Sequence, residues 1–299
     1  MSAVERVAGA GCSLALEKWG GSDPSAPPLL FLHGVSRRGL SFAPAVPVLA
    51  ASFRVHALDQ RGHGASDRAQ GYLVGDYAAD AARVAAGLGK GLVLYGHSLG
   101  ALVALETAAA LPATVAAVVL EDPPGASFLA TVATGEYRPL FDLYRRHAGS
   151  ALPVGELARL LADAPLESPR GGPPRRFGDI RDAAGIRLTA ACLNSLDPAV
   201  LDPLLAGRWL EGIDWLGTAR RVACPVLLLR ADPALGGMLP DADFAALEGA
   251  LADVTVVDFS AGSPWGRAGH NILGQSPDIL PRYVLPFLLS TVVGGQGAA

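Results

Sequence analysis

The sequence predicts an α/β fold with a mostly parallel sheet, and three observations carry that expectation. Apolar runs and helix-like stretches alternate from residue 29 to residue 122. The run Leu29-Leu30-Phe31-Leu32 is apolar without a break, the mark of a strand covered on both faces. A later run, Gly91-Leu92-Val93-Leu94-Tyr95, passes through Gly96-His97-Ser98-Leu99-Gly100 into the Ala/Leu-rich stretch 101–111, which reads as strand, sharp turn and helix. Parallel strands with crossover helices account for all three.

Taken in order, residues 13–19 alternate roughly and predict an early antiparallel strand. Residues 20–28 are rich in turn formers, and His33-Gly34 ends the strand at 29–32. Residues 40–50 predict a helix whose start is confined by Pro44 and Pro47. The next strand, Phe53-Arg54-Val55-His56-Ala57-Leu58, runs into Asp59-Gln60-Arg61-Gly62-His63-Gly64-Ala65-Ser66-Asp67. Residues 74–88 predict a helix with Asp76 as candidate N-cap, and 115–120 a strand ending in Glu121-Asp122-Pro123-Pro124.

The rhythm then breaks. Residues 125–216 hold helical fragments (137–147, 154–162, 183–196) between Pro/Gly/Arg-rich loops, notably 168–178, and no strand-like run. This segment is expected to be an inserted helical cap on a core made of residues 1–124 and 217–299. The α/β pattern resumes with Val226-Leu227-Leu228-Leu229, a helix near 242–251 and a strand at 254–257. A loop holding Gly269-His270-Asn271 and a last helix from about 277 to 289 follow; residues 294–299 are expected to fray.

With 51% apolar and 17% charged residues over 299 positions, a large core is available. The net charge of −4 and the scatter of basic residues argue against nucleic acid or an anionic membrane as partner. The expected partner is a small-molecule substrate, and the expected state a monomer or homodimer. Three distant cysteines, Cys12, Cys192 and Cys224, form neither a disulfide framework nor a metal-site spacing. Residues 1–11 lack the basic and apolar regions of a signal peptide, so the expected compartment is the cytoplasm. Residues 71–75 lack the spacing and lysine of a phosphate loop, and no His/Cys/carboxylate cluster has ligand spacing; no cofactor and no metal are expected.

Several motifs fall at predicted strand ends. His33-Gly34 follows one strand, Arg61-Gly62-His63-Gly64-Ala65-Ser66 the next, and Gly96-His97-Ser98-Leu99-Gly100 the third. An aspartate follows a late strand and a histidine lies in the final loop. The ordered set resembles the α/β-hydrolase superfamily, in the branch with a helical cap inserted after the sixth strand, and the resemblance covers nearly the whole chain. It implies the α/β-hydrolase fold, a mostly parallel eight-stranded sheet flanked by helices. It also implies an oxyanion hole built from the backbone N–H groups of Val35 and Leu99, and the chain order serine, acid, histidine.

Ser98 is the candidate nucleophile, set on a turn where side chains at 96 and 100 would collide with neighbours. A neutral serine needs an adjacent base. Of six histidines, His270 alone follows the last predicted strand in a Gly-rich loop. His33 and His63 belong to structural motifs, His56 to a strand and His147 to the insert. His97 sits inside the elbow, too constrained to swing onto its neighbour's hydroxyl. The base needs a carboxylate partner. Asp232, after the strand at 226–230, ranks first; Asp122, after the strand at 115–120, is the alternative acid. Asp253 and Asp258 are less well placed. The 61–67 loop reads as structural, and Arg37-Arg38 as a solvated pair, with the pocket mouth and an anionic substrate as the other reading. Phe128, Tyr137, Phe141, Tyr144, Trp209 and Trp215 fit a pocket roof or ordinary core equally well.

The expected activity is a serine hydrolase acting on an ester, thioester or lactone through an acyl-serine intermediate. Two alternatives stay open. One is other chemistry on the same fold, such as a cofactor-free lyase, cyclase, oxygenase or perhydrolase, including natural-product metabolism. The other is a small-molecule receptor.

Overall fold

The structure, a computed structural model, describes residues 3–20, 23–166 and 175–293. Its strands are β1 (Ala3–Ala8), β2 (Ser13–Gly20), β3 (Pro28–Leu32), β4 (Arg54–Asp59), β5 (Leu92–His97), β6 (Val115–Glu121), β7 (Pro165–Leu166), β8 (Arg175–Arg176), β9 (Val226–Arg230) and β10 (Val254–Asp258). Eight of them form one sheet in the order β1-β2-β4-β3-β5-β6-β9-β10. β2 pairs antiparallel with both its neighbours, and every other pair in this sheet is parallel. This is the α/β-hydrolase fold.

The unbroken apolar run of β3 is explained by burial on both faces. Leu30 and Leu32 pack with the layer containing the helices Val74–Leu88 and Leu99–Ala110. Leu29 and Phe31 pack on the opposite face, with Phe42, Leu49, Val284 and Leu288. All four strand side chains are fully buried, so truncating any one to alanine costs about 2–5 kcal/mol.

Strand order sets the site. β4 and β5 flank β3 on opposite sides, so the connections after β3 lead in opposite directions. Ligand crevices of open α/β sheets lie beyond the carboxyl ends at such a switch point. The turn at His33 and the turn at Ser98 both open there.

Between β6 and β9 come the helices Ala126–Val132, Arg138–His147, Val154–Asp163, Ala183–Asn194 and Trp215–Arg221, with shorter helical turns. Phe141, Leu157, Phe177 and Leu193 from this stretch join the same apolar cluster as Leu30 and Leu102 of the core.

Four local expectations need correction. Residues 3–8 form a strand, β1, which the sequence reading passed over because most of its side chains are exposed and no buried face shows. Residues 165–166 pair antiparallel with 175–176, so the insert does contain a ladder, though two residues per strand leave no periodicity to read. Of the loop expected at 168–178, residues 168–174 lie outside the described residues, as do 294–299. The helix at 40–50 is two short helical segments, Gly39–Ala45 and Val46–Leu49. Asp76 is not the cap but the third residue of its helix, where its carboxylate accepts from Leu73 N–H at 2.9 Å.

Candidate active site

The elbow is built as its sequence requires. Ser98 has φ 56° and ψ −119°, a left-handed conformation for a residue with a side chain. Such strain costs of order 1–3 kcal/mol and persists only where the surroundings enforce it. Here they do: a methyl group on Gly96 would lie 2.1 Å from Gly100 O, and one on Gly100 would lie 1.9 Å from Leu32 O. The helix Leu99–Ala110 begins directly after Ser98, so the Leu99 N–H has no carbonyl partner within the helix.

The turn after β3 is stapled by two neutral histidines. His33 Nδ1 donates to Gly34 O (2.8 Å) while its Nε2 accepts from Gln60 N–H (3.0 Å). His63 repeats the arrangement, with Nδ1 to Arg61 O (2.8 Å) and Nε2 accepting from Ser36 N–H (3.3 Å). Burial lowers their pKa values to about 4 and about 3, so each ring keeps one donor and one acceptor. The 61–67 loop is structural by the same account: Arg61 pairs with Asp80 at 2.6 Å, and Asp59 accepts from Gly39 and Ala65 N–H. A methyl on Gly34 would sit 3.1 Å from Ser98 Cβ, so the turn carrying Val35 lies directly against the elbow.

His270 meets Asp122, not Asp232. Its Nδ1 lies 2.6 Å from Asp122 Oδ2. Asp122 is fully buried, and its carboxylate also accepts from Met238 N–H (2.9 Å) and Ala231 N–H (3.3 Å). The first-ranked Asp232 instead pairs with Arg267 and accepts from Ala234 N–H at 2.8 Å. The Arg267 guanidinium holds its carboxyl below the usual range. Strand order is the reason: β6 lies beside the elbow strand β5, whereas β9 is one strand further away.

Two side chains hold the loop that carries His270. Glu121, the residue before Asp122, is buried; its Oε1 accepts from Leu273 N–H and its Oε2 from the Tyr95 hydroxyl, both at 2.8 Å. Burial pushes its pKa up to about 7. His97 Nε2 donates to His270 O at 3.0 Å. Sequence reasoning assigned neither residue a role. The adjacent carboxylates at the end of a strand were the available signal for Glu121.

Ser98 and His270 open onto one cavity, together with Gly34 and Val35 of the neighbouring turn. They are not hydrogen-bonded to each other, a contact that commonly closes only with substrate in place. Phe128, Leu140, Phe141, Tyr144, Trp209 and Met238 supply its apolar wall. Tyr137 instead bonds Gly236 O, and Trp215 starts a helix away from the cavity. Of the Arg37-Arg38 pair, Arg37 lines the cavity, joined by Arg181 from the insert. Val35 lines the same cavity as Ser98, and Leu99 follows Ser98 directly in the chain.

The fold and the motif order converge on one superfamily. A family profile described as alpha/beta hydrolase fold matches residues 27–153. A solved structure of E-2-(acetamidomethylene)succinate hydrolase aligns with TM-score 0.72 and 26% identity, over 96% of this chain and 99% of that one. The chain belongs to the α/β-hydrolase superfamily.

Over 100 residues it is 42% identical to 2-(acetamidomethylene)succinate hydrolase of Mesorhizobium japonicum. That match covers 33% of this chain and 36% of the relative, about a third of the relative's length. It is 28% identical over 277 residues to lipase LipV of Mycobacterium tuberculosis, covering 83% and 90% of the two chains. The N-formylmaleamic acid deformylase of Pseudomonas putida S16 shares the fold at TM-score 0.69 and 19% identity, with 94% and 100% coverage. Among the described residues no helix is long and apolar enough to cross a membrane.

Proposed function

We propose that the chain is a serine hydrolase that cleaves an acyl bond through an acyl-enzyme. The observation that carries this reading is the hydrogen bond from His270 Nδ1 to Asp122, made by a ring that shares its cavity with the strained Ser98. Asp122 fixes the tautomer with Nε2 free to accept a proton, and stabilises the imidazolium once it forms. Ser98 Oγ loses its proton to His270 Nε2 and attacks the carbonyl carbon. The developing oxyanion is held by the N–H groups of Val35 and Leu99, each worth roughly 3 kcal/mol of barrier. The leaving group takes the proton from His270 and departs. Water, deprotonated by the same ring, then releases the acid and regenerates Ser98.

The substrate is a small molecule, and the helical insert, residues 125–216, acts as the cap that shapes its cavity. No cofactor or metal enters the scheme, and the expected compartment is the cytoplasm. An ester, thioester or lactone is the default. A carbon–nitrogen acyl bond is the second reading, favoured by a relative whose name specifies an acetamido compound and a structural neighbour named as an N-formylmaleamic acid deformylase.

Labelling with a fluorophosphonate tests the proposal. Wild type is expected to label, and Ser98→Ala and His270→Ala are not. A folded wild type that fails to label overturns the acyl-serine mechanism.

A further inference from the structure

The cavity beside Ser98 carries two cations and, among the described residues, no carboxylate in its wall. Arg37 follows the turn that holds Val35; Arg181 stands just ahead of the insert helix Ala183–Asn194. Elsewhere in the molecule, buried arginines are neutralised. Arg61 pairs with Asp80, and Arg230 with Asp241 and Asp258. Arg37 has only neutral partners, donating to Ser36 O at 3.1 Å and to Thr189 Oγ1 at 3.2 Å. Arg181 makes no ion pair among the described residues. Asp182, its neighbour, is already committed to capping its own helix, accepting from Gly185 N–H at 2.6 Å. Two unneutralised guanidinium groups in a mainly apolar wall raise the local potential for an anion.

We propose that Arg181 and Arg37 bind a carboxylate of the substrate, so that the enzyme acts on acyl compounds carrying a free acid group. This rests on the hydrolase reading for the bond that is cleaved, but the anion site is a property of the cavity itself. A guanidinium presents paired N–H donors that match both oxygens of a carboxylate. The Phe128, Phe141, Tyr144 and Trp209 side chains line the same cavity and offer apolar surface to the carbon skeleton. The bond from Arg37 to Thr189 ties the core turn to the same helix that Arg181 precedes. Bound carboxylate therefore bridges core and insert.

The test uses binding and not turnover, in the Ser98→Ala protein, followed by tryptophan fluorescence with Trp209 in the cavity wall. The probes are the monomethyl half-esters of succinate, glutarate and adipate, set against the corresponding dimethyl esters. At least one half-ester is expected to bind about tenfold or more tightly than its diester, a difference of ~1.4 kcal/mol. Arg181→Met is expected to reduce that ratio to near one, and Arg181→Lys to restore part of it; thermal melts check that each variant folds. Equal binding of half-esters and diesters overturns the proposal, as does a preference that survives Arg181→Met. Tighter binding of methyl phosphate than of every half-ester also overturns it. If fluorophosphonate labelling fails but the half-ester preference holds and follows Arg181, the hydrolase reading falls and the carboxylate site stands.

Discussion

His97 and His270 are joined by a hydrogen bond from the ring of one to the backbone carbonyl of the other, 3.0 Å long. Their rings lie 4.7 Å apart between centroids. The residue before Ser98 thus fixes the height at which the loop carrying His270 crosses the elbow. Burial holds the His97 ring neutral, so it acts as a fixed donor and takes no proton from the reaction. His97→Ala is expected to lower kcat by about 10- to 100-fold with little change in KM, because a displaced base misaligns proton transfer. His97→Asn, which retains a donor, is expected to recover part of the loss. Steady-state kinetics on any turned-over ester separates the two parameters.

The two aspartates give opposite outcomes. Asp122→Asn removes the charge that fixes the His270 tautomer and stabilises its imidazolium, and is expected to cut kcat by about 10⁴-fold. Asp232→Asn leaves the His270 pair intact and is expected to hold activity within a few-fold. Its effect falls on stability. The folded-state pKa of Asp232 is depressed by Arg267, so its contribution is present above the unfolded carboxylate pKa and fades as pH falls through the lowered value. Melting curves of wild type and Asp232→Asn should therefore converge in acid and separate near neutrality.

Glu121 behaves the other way. Its folded pKa is raised from 4.5 to about 7 by burial, so the folded state binds more protons between those values. Stability contributed by this group falls as pH rises through that window, and the ionised form costs on the order of 3 kcal/mol above it. Glu121→Gln keeps an acceptor for Leu273 N–H without the charge. The variant is expected to gain stability over wild type at pH 8 and to lose that advantage at pH 5. Taking the difference between the two proteins cancels the shared titration of His33 and His63.

Glycine substitutions separate contact from conformation. Gly100→Ala drives a methyl group into the Leu32 carbonyl and is expected to destabilise by more than ~3 kcal/mol, or to prevent soluble expression. Gly75 lies in the first turn of the helix Val74–Leu88, and a methyl group there meets nothing within 4 Å. Gly75→Ala is expected to stabilise by about 0.4–1 kcal/mol through the unfolded chain. Chemical denaturation measures both.

The parts of this site legible in the sequence are those encoded by neighbours along the chain. Gly96 and Gly100 announce the elbow because the constraint on Ser98 lies within two residues of it. Ser98 and His270 were legible as candidates from their places relative to the strands. Which aspartate meets His270 depends on lateral strand order, which no local pattern records. Asp122 and Asp232 both follow an apolar run and both precede a proline. Only the placement of β6 between β5 and β9 decides which one reaches His270. Arg267 is hidden for a related reason, since its claim on Asp232 crosses from one loop to another. Arg181 lies in a segment with no motif, and its role emerges only from the cavity it borders. The exposed strand β1 left no apolar face to detect.

The chain leaves the sheet almost immediately after Asp122, the partner of His270. Asp122 is followed by Pro123-Pro124-Gly125, and the departure is pinned: Gly125 N–H donates to Met238 O, and Asp243 accepts from Ser127 N–H. The sheet and the helical stretch that follows it thus meet at a short seam with its own fastenings. An insert grafted from another member of the superfamily, spliced beyond Ser127, would leave the His270–Asp122 bond intact and bring a different cavity wall. On the proposed reading, such a graft would exchange selectivity without rebuilding the Ser98, His270 and Asp122 set.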